Sequence, residues 1–231
     1  MSASPIPTDG SPVSGLRHLA DLYLRPRRFF GEVPRGRSSA AALVAAYVVG
    51  IALSLGRVDR VFMQQDLGRP GSPFSDAVAD SWLVFWGVVL GAGLLSAVLS
   101  WYLGGWWYRV RLRWSGMRDA KREDARLLFV YSHLVHALPS VLYAAVCAVL
   151  FDSYASVWVS DEVWSASLLI FPFWGIATSY RGLTLWYAPQ RRALARLWFV
   201  VLPAVVYVVA FGLIVILYSL LTGGAAPSVA V

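Results

Sequence analysis

Apolar runs separated by short charged connections dominate the chain, and five of them are long enough to cross a bilayer. They cover roughly residues 38–56, 81–107, 127–151, 163–187 and 197–221, the fourth interrupted by Arg181. A helix of ~20 apolar residues spans the ~30 Å hydrocarbon core, so the pattern predicts five transmembrane helices. Ahead of the first run the periodicity changes. Leu16, Leu19 and Tyr23 fall on one helical face, with Arg17 and Asp21 off it. Pro26 breaks that run and opens a second short helix, whose apolar face of Phe29, Phe30 and Val33 is flanked by Arg27, Arg28 and Glu32. This amphipathic pair can lie in the membrane interface with its apolar face down, or pack as a cap beneath the bundle. Residues 1–14, rich in Ser, Pro and Gly, read as a disordered tail. Residues 15–221 form one membrane domain, and 222–231 a short C-terminal tail.

Composition removes the soluble alternative. Of 231 residues, 58% are hydrophobic and only 14% charged, with a mean hydropathy of +0.60, whereas soluble domains are about a quarter charged. The pI of 9.9 does not point to nucleic acid, because the basic residues gather at one end of the apolar runs, as membrane topology and anionic lipid require. Lys121 is the sole Lys among many Arg, and with abundant Ala, Gly and Val this suggests GC-rich coding and a bacterial inner (cytoplasmic) membrane protein. The first apolar run starts too far from Met1 for a cleavable signal peptide. Cys147 is alone, which excludes a disulfide framework within one chain.

Charge then orients the bundle. Seven Arg or Lys residues lie between Arg109 and Arg126, and short basic loops stay in the cytoplasm. On the same side fall Arg17, Arg25, Arg27, Arg28, Arg35 and Arg37, and later Arg191, Arg192 and Arg196. The opposite side carries Arg57, Arg60 and Arg69 against Asp59, Asp66, Asp76 and Asp80, then Asp152, Asp161 and Glu162 with no base. The expected fold is an all-α, five-helix polytopic bundle, N-in and C-out. Trp106, Trp107, Tyr108, Trp186 and Tyr187 are expected at the cytoplasmic interface, and Trp82, Trp158 and Trp164 at the other.

Three short motifs resemble the Yip family, the Ypt/Rab-interacting membrane proteins, which also occur in bacteria. Asp21-Leu22-Tyr23-Leu24-Arg25-Pro26 with Arg27-Arg28-Phe29-Phe30 is similar to the family's opening motif and basic-aromatic pair. Gly104-Gly105-Trp106, Ser115-Gly116 and Tyr131-Ser132 resemble its pattern around spans two and three. Gly182-Leu183 with Arg191-Arg192-Ala193-Leu194 resembles its turn between spans four and five. The resemblance implies a five-helix domain with a cytoplasmic N-terminus. In eukaryotic members it implies binding of prenylated Rab GTPases, a partner bacteria lack.

Polar groups inside a span are expensive and invite functional hypotheses. His133 and His136, at i and i+3 on one face of the third span, could meet Tyr131 and Arg181 in an intramembrane polar cluster. Arg181 could instead snorkel to the headgroups, pair within the bundle, or line a cavity that takes lipid phosphate. No Cys, Asp or Glu lies at a depth that would complete a metal site with the histidines, and no cofactor is expected. Pro139, Pro172 and Pro203 would free the carbonyls of Val135, Leu168 and Phe199. The small-xxx-small pair Gly87 and Gly91 should pack span two closely inside the bundle or across a dimer. No catalytic constellation is present, so an enzyme is not expected. The first function expected is a non-enzymatic membrane adaptor or organiser. It would present a basic cytoplasmic face (Arg27, Arg28, Arg118, Lys121, Arg122, Arg191 and Arg192) to anionic lipid of the cytoplasmic leaflet or an acidic partner, with homo-oligomers left open. The second is a small transporter or lipid-handling protein that uses the His/Arg cluster.

Overall fold

The computed structural model describes residues 12–36, 39–160, 168–187, 189 and 191–221. The tail expected to be disordered over residues 1–14 is described only from Pro12, where α1 begins; its first eleven residues, the roles of Arg37, Asp161, Glu162 and Trp164, the side chain of Leu16, and the C-terminal tail lie outside the described residues. Every described element is a helix. Four helical stretches are long and apolar enough to cross a membrane: Ala40–Asp66, Trp82–Trp114, Arg122–Leu150 and Arg192–Leu217. The chain is an integral membrane protein.

The elements follow in order: α1 (Pro12–Leu24), α2 (Pro26–Glu32), α3 (Ala40–Asp66), α4 (Pro73–Asp80), α5 (Trp82–Leu99), α6 (Gly105–Trp114), α7 (Arg122–Leu150), α8 (Tyr154–Ser160), α9 (Ile170–Tyr187), α10 (Arg192–Arg196) and α11 (Leu202–Leu221). A π turn at Ser100–Gly104 joins α5 to α6, and another at Leu197–Val201 joins α10 to α11. The second immediately precedes Pro203. A proline lacks the N–H that would bond four residues back, and a π turn is one way a helix absorbs the break. Pro172 falls in the first turn of α9, where a missing N–H costs little. It is therefore not the mid-helix kink expected. The fourth predicted span is described only over α9 and the two residues before it, and α9 is 18 residues long.

The first span runs ten residues further than expected. Ser39 accepts the Ala42 N–H at 3.2 Å as its N-cap, and the helix continues to Asp66. Arg57, Asp59, Arg60 and Asp66 thus stand on α3 itself and not in a loop. Arg57 Nη1 donates to Ser96 Oγ on α5 at 2.9 Å, beside Ser54. The crossing of α3 and α5 is tight because Gly50 faces Gly93: a Cβ on Gly50 would collide with the Gly93 carbonyl and Ala97. Gly87 and Gly91 are exposed, and a Cβ on either meets nothing within 4 Å. The small-residue pair read from the sequence is therefore not the one that packs the bundle.

Buried side chains form two clusters, one toward each end of the bundle. The first gathers Leu22, Phe29, Phe30, Val49, Tyr108, Leu128, Val135, Leu183 and Phe199 among others. The second gathers Val58, Phe62, Val78, Phe85, Val89 and Tyr154. In α1 and α2 the apolar face is buried in the protein: Phe30 is 1% exposed and its ring meets Trp186 edge-on at 5.2 Å. Of the two placements open for this pair, the packed cap is the one observed. Gly182 makes room for it, since a Cβ there would come within 2.7 Å of the Phe30 ring.

Candidate functional site

The helix directions bring the N-terminal pair, the α6–α7 connection and the α9–α10 turn to one end of the molecule, and that end is basic. Gly116 in the first connection lies against Arg191 in the second. Arg27 of α2 shares a cavity with Arg192 of α10. Arg27, Arg28, Arg118, Lys121, Arg122, Arg191 and Arg192 are all exposed. Arg28 is partly neutralised, with Nε 3.0 Å from Glu32 and 3.5 Å from Asp21.

The seven cations between Arg109 and Arg126 divide by role. Arg113, Arg118, Lys121 and Arg122 face outward. Arg109 Nε donates to the Ala120 carbonyl at 3.1 Å and holds the connection folded back. Arg111 is only 6% exposed. Its guanidinium sits 4.8 Å from the Tyr108 ring centroid and 4.3 Å from that of Phe199, and Nε donates 2.9 Å to the Trp198 carbonyl in the second π turn. A buried arginine needs its donors used and its charge faced by π density, and both conditions are met. Arg126 lies over Tyr102 at 4.8 Å, with its Nε buried and unpartnered.

Asp124, in the first turn of α7, is not solvated as Lys121 and Arg122 beside it are. It is 1% exposed and accepts from three groups: Arg35 Nη2 at 3.2 Å, Gly36 N–H at 2.8 Å and the Tyr187 hydroxyl at 2.9 Å. One carboxylate therefore ties the segment before α3 to the start of α7 and the end of α9. Its signal was an acid beside Glu123 amid surrounding cations, which local pattern alone does not separate from a solvated pair.

The proposed cluster of Tyr131, His133, His136 and Arg181 does not assemble. Tyr131 packs edge-on against Phe29 at 4.9 Å in the basic-end core. His133 Nδ1–H donates to its own helix at the Phe129 carbonyl, 2.9 Å away, while its ring lies 4.1 Å from Phe129 and 5.8 Å from Tyr108. His136 turns into another cavity. Arg181 is exposed on the far side of α9 and lines a third space. The i, i+3 spacing put the histidines on one helix face, but α9 presents Arg181 away from α7 because Gly175, Gly182 and Leu183 occupy the contact side.

Two polar cavities result. One, of about 500 Å³, opens at the basic end between α2, α9 and α10, and is lined by Arg27, Tyr180, Arg181, Thr184, Arg192 and Arg196 with Leu185 and Pro189. The other, of about 590 Å³, is lined by His136, Ser140 and Tyr143 of α7, by Asp59 and Asp66 of α3 and by Tyr154 of α8. There the Tyr154 hydroxyl donates to Asp59, Trp158 Nε1 donates to Asp66 at 2.8 Å, and His136 Nδ1 is buried without a partner. Among the described residues no group of three metal-binding side chains converges.

Several interface aromatics are in fact structural. Tyr108 and Trp186 are buried, and Trp186 Nε1 donates to the Phe30 carbonyl at 2.8 Å. Trp106 is 60% exposed, as a belt residue should be. Trp82 is half-buried and reaches the Phe151 carbonyl at 2.8 Å. Compared with known proteins, the chain matches no family model, no curated protein and no solved structure.

Proposed function

We propose that the chain is a non-enzymatic membrane adaptor or organiser of Yip type, a five-span bundle in a bacterial inner membrane with its basic end in the cytoplasm. One observation carries this reading: Arg27, Arg28, Arg118, Lys121, Arg122, Arg191 and Arg192 come from three separated segments, yet all are exposed at one end. α9 supplies the fifth crossing, α1 and α2 cap the cytoplasmic end, and the acidic residues of α3 face the other compartment. Anionic headgroups attract juxtamembrane cations with about 1 kcal/mol per Lys or Arg near the surface, so several together make a binding face without any catalytic group. The test is vesicle co-flotation of the purified full-length chain with anionic and zwitterionic liposomes. Reversing Arg118, Lys121 and Arg122 to Glu should cut recovery on anionic vesicles several-fold, whereas recovery equal to the parent's defeats the reading.

The transporter alternative keeps one supporting feature, the cavity at His136, although Arg181 is no part of it. Its size falls in the usual range for small-molecule sites. Proteoliposome flux abolished by His136→Ala and untouched by Arg181→Ala would favour this second reading over the first.

A further inference from the structure

The cavity at the basic end gathers exposed arginines from three helices. Arg181 and Thr184 come from α9, Arg192 and Arg196 from successive turns of α10, and Arg27 from α2. Four arginines therefore line a space of about 500 Å³. Among the described residues no carboxylate lies within 4 Å of any of them, the ion pairs there belonging to His18, Arg28 and Arg35. Arg196 Nε donates to the Tyr180 hydroxyl at 3.3 Å, a neutral partner that leaves the charge intact.

Apart from the Arg196–Tyr180 hydrogen bond, no described contact favours this arrangement. Arg192 and Arg196 are like charges at i and i+4, which destabilises a helix. Arg192 also opens the continuous helix Arg192–Leu217, where the macrodipole already concentrates positive charge. Arg181 stands on a helix whose other face is apolar. Four like charges drawn together without a counter-ion describe a site that is complete only with an anion. Guanidinium matches a phosphate group in particular, because its planar fork reaches two oxygens at once. Thr184 and Tyr180 add hydroxyls that can donate to remaining oxygens, though Thr184 Oγ1 now donates to the Arg181 carbonyl at 3.0 Å.

The geometry points to a one-to-one phosphate site formed by Arg27, Arg181, Arg192 and Arg196, its phosphate carried by an anionic phospholipid headgroup or free in solution. The inference rests on the proposed orientation, which sets this mouth at cytoplasmic headgroup level, and it goes beyond that proposal by making binding stoichiometric and local.

Native mass spectrometry of the full-length chain, released from nanodiscs of phosphatidylcholine with phosphatidic acid, counts lipid adducts. Thermal unfolding in sodium phosphate against sodium chloride of equal ionic strength tests the free anion. A lipid-borne phosphate gives one retained phosphatidic acid per chain, weakened at least about tenfold in Arg181→Gln/Arg196→Gln, as loss of charge-assisted hydrogen bonds predicts. A free phosphate gives instead a phosphate-specific rise in Tm that the same variant loses. Arg27→Gln serves as the second variant, since it alters a different helix and must weaken the same signal. Adducts and phosphate shifts equal in parent and both variants overturn the site. The Arg118/Lys121/Arg122 reversal separates the two ideas: it should reduce flotation while leaving the single adduct in place. If flotation is unchanged while the cavity variants lose their adduct, the broad face fails and the cavity stands.

Discussion

Tyr23 shows how one hydroxyl joins distant parts of the chain. Its side chain leaves α1 and donates to the Val135 carbonyl at 3.2 Å, the carbonyl that Pro139 deprives of its helical partner. Burial raises the Tyr23 phenol to about 12 from its ordinary 10.0, which keeps the donor protonated. With the folded value above the unfolded one, stability is fully present below pH 10 and falls as pH rises toward 12. Tyr23→Phe should flatten that alkaline decline in a pH series of unfolding curves, and should cost about 1 kcal/mol at neutral pH by stranding the carbonyl. Asp124 is the stronger case. Asp124→Ala leaves the Gly36 N–H, Arg35 and Tyr187 without their acceptor and should cost about 2–4 kcal/mol, measured by thermal unfolding in detergent. Asp119→Ala, at an exposed position in the same connection, should change stability by less than about 0.5 kcal/mol. Proline positions identify freed carbonyls in the sequence, whereas the group that satisfies each one depends on tertiary contacts no local pattern contains.

Among the elements, α1 and α2 separate what a pattern can specify from what it cannot. Their amphipathic faces were legible, with Phe29, Phe30 and Val33 where the wheel placed them. What those faces bury against was not. Lipid and a helical bundle are both apolar, so the same stripe suits either. The deciding features were Gly182, whose missing side chain opens the Phe30 socket, and the Trp186 and Trp174 indoles, which bond the Phe30 and Tyr23 carbonyls. Gly182→Val should close the socket and release the pair. Trypsin should then cut at Arg27 or Arg28 at least several times faster than in the parent, and unchanged cleavage would mean the socket is not what holds them. The long apolar runs were equally legible: each of the four membrane-length helices covers an expected span, though Trp82–Trp114 runs past residue 107 and α3 past residue 56, where Val58 and Phe62 continue its buried face. α11 differs from them all. Although Tyr207 meets Phe173 of α9, none of its described residues is fully buried, a condition hydrocarbon tolerates and water does not.

For the whole molecule, the asymmetry of charge has a physical signature that can be measured. Attraction between an exposed cationic face and anionic vesicles is screened by salt, with a Debye length of about 10 Å at 0.1 M and about 3 Å at 1 M. Co-flotation should therefore decline steeply over that range. The one-to-one adduct in the cavity should resist salt better, because direct contact of guanidinium with phosphate is shorter than the Debye length at 0.1 M. The one-sided placement of Arg was legible from sequence, but its division into exposed, cavity-lining and buried groups was not. Arg118 and Arg111 stand in one basic cluster and Arg181 in an apolar run, yet neither setting fixes what each meets. Only the helices around them decide whether solvent, a cavity or a pair of aromatic rings receives the guanidinium.

The cap on the basic end also imposes an order of events. Trp174 and Trp186, which fasten α1 and α2, lie 151 and 156 residues further along the chain than the carbonyls they hold. Synthesis proceeds from the N-terminus, so Phe29 and Phe30 emerge long before their socket exists. Through that interval the two rings have neither Trp186 nor the Gly182 socket to pack against. The two helices can dock in the observed way only after α9 has been made.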